Sequence, residues 1–124
     1  MRILVIGHTC RARAVIKTAL EVDHHDVVTV ENGLLGLRAF DESDFDAAII
    51  DVFMLEMDGM TLIKELRRRA PRLPIVVISG GIYGETALDI LTTASGLTGV
   101  AYLQKPFRPD QLIAALEKAV HGAG

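Results

Sequence analysis

Residues 47–51 read AAIID, a short run of apolar side chains that ends in a carboxylate. Most of the other apolar runs in the chain are likewise continuous rather than alternating, a pattern typical of parallel strands that are buried on both faces. Five such runs predict strands, at 3–6, 27–30, 47–50, 75–78 and 100–103.

Segments with the apolar spacing of amphipathic helices separate and follow these runs. They predict helices at 12–22, 34–40, 60–70, 86–94 and 109–120. Because strand and helix alternate, we predict an α/β fold, a doubly wound parallel sheet with helices on both faces. We expect one domain over residues 1–124, with 119–124 as a frayed tail. Right-handed crossovers would bring the carboxyl ends of all the strands to one edge of the sheet.

Composition narrows the class of protein. The chain has 124 residues, 50% of them hydrophobic, with a formal net charge of −3 and one cysteine. A slightly acidic chain without a basic face is not expected to bind nucleic acid. No apolar run approaches the length of a membrane span or of a signal peptide. We therefore expect a cytoplasmic protein without an internal disulfide, away from nucleic acid and membrane.

Three polar residues follow or end the predicted strands at the shared edge: Asp51, Ser79 and Lys105. Each alone is commonplace, since an acid can cap a loop, a Ser-Gly pair marks a turn and a lysine is usually solvated. Together they predict an acyl-phosphate site. The carboxylate would be the nucleophile, and the hydroxyl and ammonium would hold the phosphoryl oxygens.

The order of the motifs resembles the receiver domain of bacterial two-component response regulators over nearly the whole chain. The motifs that carry the resemblance are ENG (31–33), DVFMLEMDGM (51–60), the Ser79-Gly80 pair and YLQKPF (102–107). It implies a five-stranded (βα)5 flavodoxin-like fold with strand order 2-1-3-4-5. By the same resemblance Asp51 is the phospho-acceptor, Ser79 the switch hydroxyl, Lys105 the phosphoryl-binding lysine, Tyr102 the aromatic switch residue and Pro106 the site of a cis peptide.

The resemblance also implies partners. The phosphoryl group would come from a phosphohistidine on a histidine kinase or a phosphotransfer protein. A downstream protein would then bind the face formed by the fourth helix, the fifth strand and the fifth helix. A receiver of this kind is a signalling module, and we expect no enzyme activity of its own.

The sequence departs from the family pattern where a metal would bind. Gly7 and His8 stand where the family has two acidic residues that help bind Mg²⁺, and Leu55 replaces a proline. The stretch from Ser79 to Lys105 is also longer than is common. Of the expected magnesium ligands, Asp51 and the Phe53 carbonyl remain. Imidazole is a poor ligand for Mg²⁺, so we expect weak or no metal binding and slow or no phosphorylation of Asp51.

Without a competing acid pair, Lys105 should contact Asp51 directly. Arg11 and Arg13 could steer a phosphate, although we favour solvated residues at a helix start. A zinc site formed by His8, Cys10 and Asp51 is a weaker alternative, and the histidines of DHHD (23–26) fit a solvated turn better than a metal cluster.

Two signalling functions stay open. One is a phosphorylatable receiver with a degraded metal site, and the other is a phosphorylation-independent pseudo-receiver that acts as a protein-interaction module. A phosphatase of the haloacid dehalogenase type would need a second acid at Phe53. A flavodoxin-like cofactor binder would need a Ser/Thr/Gly-rich loop in place of HTCRAR (8–13).

Overall fold

The computed structural model describes residues 1–51, 59–80 and 99–123, and shows a parallel sheet covered by helices on both faces. The strands are β1 (Arg2–Ile6), β2 (Asp26–Val30), β3 (Ala47–Asp51), β4 (Ile75–Gly80) and β5 (Val100–Lys105). The helices are α1 (Cys10–Val22), α2 (Gly33–Glu42), α3 (Gly59–Arg69) and α4 (Pro109–Ala123). The helix predicted at 86–94 lies outside the described residues.

The five strands follow the order β2-β1-β3-β4-β5, and all pair in parallel. This is the predicted flavodoxin-like order. Since the chain passes from β1 outward to β2 and then back to β3, the strand order reverses beside β1. Ligands of open α/β sheets bind at such a reversal, outside the carboxyl ends of the strands.

Side chains of alternate strand residues build one hydrophobic cluster on each face of the sheet. On the first face, Ile3 and Val5 of β1 pack with α1 and α4. On the second face, Leu4 and Ile6 pack with α2 and α3. The central strands β1 and β3 are thus apolar on both sides, which explains their continuous runs.

Local capping fixes where the helices begin. The Thr9 side chain accepts a hydrogen bond from the Ala12 backbone N–H at 3.1 Å, and the Asn32 side chain accepts one from Leu35 at 2.9 Å. Both residues are N-caps with extended backbone. Helix α1 consequently begins at Cys10 rather than at residue 12, where we predicted its start. Cys10 is therefore helical, and it is exposed.

The C-terminal segment differs from the expectation of a frayed tail over 119–124. Helix α4 extends to Ala123, and Ala119 is 1% exposed within the first cluster. The spacing of Leu112, Leu116 and Ala119 keeps one face of the helix on the sheet. Helix α4 therefore includes most of the segment that we expected to be frayed.

Candidate functional site

The carboxylate of Asp51 is the centre of the candidate site. Asp51 is the last residue of β3 and pairs in register with Ile78 of the neighbouring strand. It is 2% exposed, and among the described residues it is the one buried charged side chain. A buried carboxylate is costly unless another group compensates its charge. Its position is the carboxyl edge of the sheet, where β1 and β3 adjoin.

Lys105 compensates the charge of Asp51. The Lys105 Nζ donates to Asp51 Oδ2 at 2.6 Å, and the two side chains are 31% and 3% exposed. Lys105 ends β5, so β4 separates the two strands that supply the pair. The predicted direct contact between this lysine and this carboxylate is therefore present. The Lys105–Pro106 peptide bond is cis, the isomer that the resemblance implies.

The end of β1 lies beside Asp51 and carries no acid. An ideal Cβ on Gly7 would lie 3.6 Å from Asp51 Cβ, so residue 7 borders the carboxylate. The Gly7 backbone N–H donates to the Val30 carbonyl at 3.0 Å, which holds this edge of the sheet in place. His8 is exposed. The site thus contains the predicted glycine next to the acid.

Arg13 differs from the solvated residue that we favoured. Its side chain folds back from α1, and its Nη1 donates to the Gly7 carbonyl at 2.7 Å and to the His8 carbonyl at 3.0 Å. Arg11, by contrast, is exposed. The sequence signal for this contact was weak: an arginine a few residues after a glycine at a strand end is common in surface segments.

Ser79 lies on β4, the strand next to that of Asp51, and Tyr102 lies on β5, one strand further from Asp51. Ser79 belongs to β4 and pairs with Gln104, one position before Gly80 pairs with Lys105. The backbone of Ser79 is therefore at the correct edge, and its side chain lies outside what the structure describes. Tyr102 packs on the second hydrophobic cluster, and its hydroxyl is buried without a hydrogen-bond partner among the described residues. Burial raises the pKa of the Tyr102 phenol. Phe53, Leu55 and Glu56 lie outside the described residues.

The DHHD segment forms a turn, as predicted. Asp23 follows α1, and His24 adopts a positive φ of 66°. The His25 Nε2 contacts Asp23 Oδ2 at 2.9 Å, while His25 Nδ1 lies 3.2 Å from the amino group of Met1. The turn lies at the amino-terminal end of β2, the opposite edge of the sheet from Asp51.

Comparison with known families agrees with this geometry. The family model described as the response regulator receiver domain matches residues 3–117. The chain belongs to the response regulator receiver domain family. Receiver domains serve two-component phosphorelay signalling, and the buried acid and the lysine of this receiver occupy the strand ends that the resemblance implied.

Bacterial regulators and a solved receiver resemble this receiver. The transcriptional regulatory protein TcrA of Mycobacterium tuberculosis is 34% identical over 119 residues, which cover 94% of this chain and 44% of TcrA. The nisin biosynthesis regulatory protein NisR of Lactococcus lactis is 32% identical over 116 residues, 94% of this chain and 48% of NisR. The receiver domain structure from Clostridium thermocellum has a TM-score of 0.81 and 30% identity, covering 97% of this chain and 94% of that one. The chain thus spans less than half the length of these two regulators.

The described residues of the receiver's carboxyl edge do not by themselves form a site for the Mg²⁺ ion that receiver domains typically bind. Within residues 1–51, 59–80 and 99–123, no three His, Cys, Asp or Glu side chains are grouped so that they could hold a metal ion. Mg²⁺ requires oxygen ligands, and the Gly7 and His8 carbonyls at this edge already accept hydrogen bonds from a guanidinium. The same finding gives no support to a zinc site at His8, Cys10 and Asp51.

Within residues 1–51, 59–80 and 99–123, none of the helices combines the length and the apolar composition of a membrane span.

Proposed function

We propose that this receiver accepts a phosphoryl group on Asp51 and thereby changes a protein-binding surface. The observation that supports this proposal is the Asp51–Lys105 ion pair of 2.6 Å at the carboxyl edge. In this pair the proposed nucleophile, the carboxylate, is in contact with the lysine ammonium, the cation that would bind the phosphoryl oxygens. The phosphoryl donor would be a phosphohistidine of a histidine kinase or of a phosphotransfer protein.

The transfer balances as a single displacement. An Asp51 carboxylate oxygen attacks phosphorus and forms an O–P bond, while the P–N bond to the donor imidazole breaks. The electron pair of that bond stays on the imidazole nitrogen, which takes up a proton. Lys105 would then move its contact from the carboxylate to the new phosphoryl oxygens, since an ammonium binds a phosphoryl group as a point charge. Ser79, whose backbone lies at the same edge, is the proposed hydroxyl for a further phosphoryl oxygen.

We propose that Mg²⁺ binding is weak, because Gly7 and His8 provide no carboxylate. Transfer should therefore depend little on divalent metal and proceed slowly. The output would be a contact with a downstream protein through the face that includes β5 and α4, with Tyr102 as the switch residue. The helix predicted at 86–94 would complete this face. The receiver acts in this proposal as a signalling module in the cytoplasm, without enzyme activity of its own.

Intact-mass spectrometry after incubation with acetyl phosphate tests the proposal. We expect an adduct of about 80 Da, the mass of a phosphoryl group, on the wild-type protein and on Asp26→Asn, but not on Asp51→Asn. Asp26 is a matched control because it is exposed at the opposite edge of the sheet. A folded wild-type protein that takes up no phosphoryl group with or without Mg²⁺ would refute phosphorylation and favour the phosphorylation-independent interaction module.

A further inference from the structure

The Arg13 side chain lies over the end of β1, at the part of the carboxyl edge that borders Asp51. The Arg13 side chain begins on the first turn of α1 and reaches back over the end of β1, where its Nη1 bonds both the Gly7 and the His8 carbonyls. A guanidinium has five N–H donors, and one nitrogen serves both of these bonds. Its remaining donors make no hydrogen bond to the described residues.

The absence of a side chain on Gly7 makes room for this arrangement. A Cβ placed on Gly7 would lie 3.3 Å from Arg13 Cγ and 3.6 Å from Asp51 Cβ, so the arginine stem and the carboxylate stem flank the same point. A contact of 3.3 Å is tighter than most Cβ contacts, and a carboxylate at position 7 would also need room for its oxygens. A side chain at position 7 would therefore require the Arg13 stem to shift by a few tenths of an ångström.

We propose that Arg13 is a resident cation of the Asp51 site, and that Arg13 and Lys105 together bind a phosphate-type oxyanion there without a divalent metal. A guanidinium matches phosphate oxygens with paired N–H donors, and an ammonium adds a compact charge. The two carbonyl bonds fix the direction of the guanidinium before the anion arrives, which lowers the entropy lost on binding. The part of this inference that concerns a phosphoryl group on Asp51 rests on the proposed function.

A phosphate titration tests the inference without any phosphorylation. In Asp51→Asn the carboxylate is replaced by a neutral amide of the same shape, which removes the negative charge that would repel a phosphate from this edge. We expect inorganic phosphate in excess EDTA to shift the NMR amide signals of Gly7, residue 51 and Lys105 saturably. Adding Arg13→Gln should weaken the apparent affinity by about tenfold, as for the loss of a charge-assisted hydrogen bond.

Matched variants make this titration specific. Arg11→Gln removes the same charge from an exposed neighbour and should leave the phosphate affinity of Asp51→Asn unchanged. Arg13→Lys retains the charge without the fork and should recover part of the affinity, which separates loss of charge from loss of folding. Equal affinities with and without Arg13→Gln, or the absence of a saturable shift in Asp51→Asn, would overturn the inference.

The phosphorylation assay gives a second, separate outcome. In EDTA, wild-type protein should gain the Asp51 adduct at a rate within about twofold of the rate in Mg²⁺, and Arg13→Gln should slow the EDTA reaction by about tenfold or more. A strictly Mg²⁺-dependent adduct that Arg13→Gln leaves unchanged would overturn the role of Arg13 while the proposed function stands. If no adduct forms but phosphate still binds through Arg13, the proposed function fails while the anion site stands.

Discussion

The Tyr102 hydroxyl is a polar atom in an apolar setting. It is buried, lacks a hydrogen-bond partner among the described residues, and lies against the cluster that contains Ile75 and Val77. A buried hydroxyl without a partner loses its hydration with no compensating bond. Burial accordingly raises the pKa of the phenol, because the charged phenolate is solvated less well there than in the unfolded chain.

This environment predicts the effect of Tyr102→Phe on stability and its pH dependence. At neutral pH the variant should be as stable as the wild type or more stable by about 1 kcal/mol, since it removes an unsatisfied group. The folded pKa lies above the unfolded value, so this phenol leaves wild-type stability independent of pH below about pH 10 and makes it fall as pH rises through the folded pKa. Urea unfolding from pH 7 to 11 checks this prediction. Wild-type stability should fall more steeply than that of Tyr102→Phe above pH 10, and parallel curves would contradict it.

At single residues, the sequence predicted one contact of the candidate site and missed another. The pairing of Asp51 with Lys105 followed from the missing acids and the strand order, so it could be predicted. The fold-back of Arg13 could not, because it depends on where α1 begins and on the space above Gly7. Both depend on the folded structure at this edge of the sheet, and the order of residue types along the chain does not reveal them.

At the scale of elements, helix α2 packs closely on β1 through a glycine. A Cβ on Gly36 would lie 2.5 Å from Ile6 Cδ1 and 2.9 Å from Ile6 Cγ1. Ile6 is itself 0% exposed, so it has little room to move away. The helix can therefore approach the strand this closely only with hydrogen at that position.

Gly36→Ala should consequently destabilise the protein. An alanine ordinarily favours a helix by about 1 kcal/mol over glycine, and overpacking against Ile6 costs about 1–3 kcal/mol, so we expect a net loss. Gly122→Ala in α4 is the control, because its Cβ would lie 3.5 Å from the nearest atom, an ordinary contact. That variant should be unchanged or slightly more stable. Thermal unfolding of both variants checks the contrast, and a stabilised Gly36→Ala would show that the helix can shift outward.

The apolar periodicity of the sequence predicted where most strands and helices lie, but it did not predict where they end. The run at 47–50 located β3, yet β4 and β5 each extend two residues past their apolar runs, to Gly80 and Lys105. Parallel backbone pairing continues whatever the side chains are, so polar strand ends cannot be read from hydrophobicity. N-cap residues determine where the helices start, and the Thr9 cap places the start of α1 at Cys10, before the predicted start at residue 12. The alternation of strand and helix fixed the fold class independently of those shifts.

At the scale of the whole molecule, one sheet divides two hydrophobic clusters that share its strands. Consecutive β1 residues belong to opposite clusters: Ile3 and Val5 to one, Leu4 and Ile6 to the other. Separation of one helix layer would expose the strand residues of that face, and their immediate neighbours on the same backbone anchor the other layer. The described parts of the chain should therefore unfold as one cooperative unit.

Paired substitutions on opposite faces test this cooperativity. Ile16 of α1 and Ile63 of α3 are 1% and 0% exposed, in the first and second clusters respectively. Each Ile→Val change should cost about 0.5–1.5 kcal/mol, and the double variant should lose the sum to within about 0.5 kcal/mol, because the sheet keeps the two sites apart. In each of the four proteins (the wild type, the two single variants and the double variant), the NMR amide signals of α1 and of α3 should disappear at the same urea midpoint. The dependence of the unfolding free energy on urea concentration should be the same in all four proteins. If Ile16→Val moved the midpoint of α1 but not that of α3, the two layers would unfold separately, and a switch surface on one face would be insulated from the other. A common midpoint would mean that the two layers lose their structure together, so that a substitution in either cluster lowers the stability of both faces of the receiver.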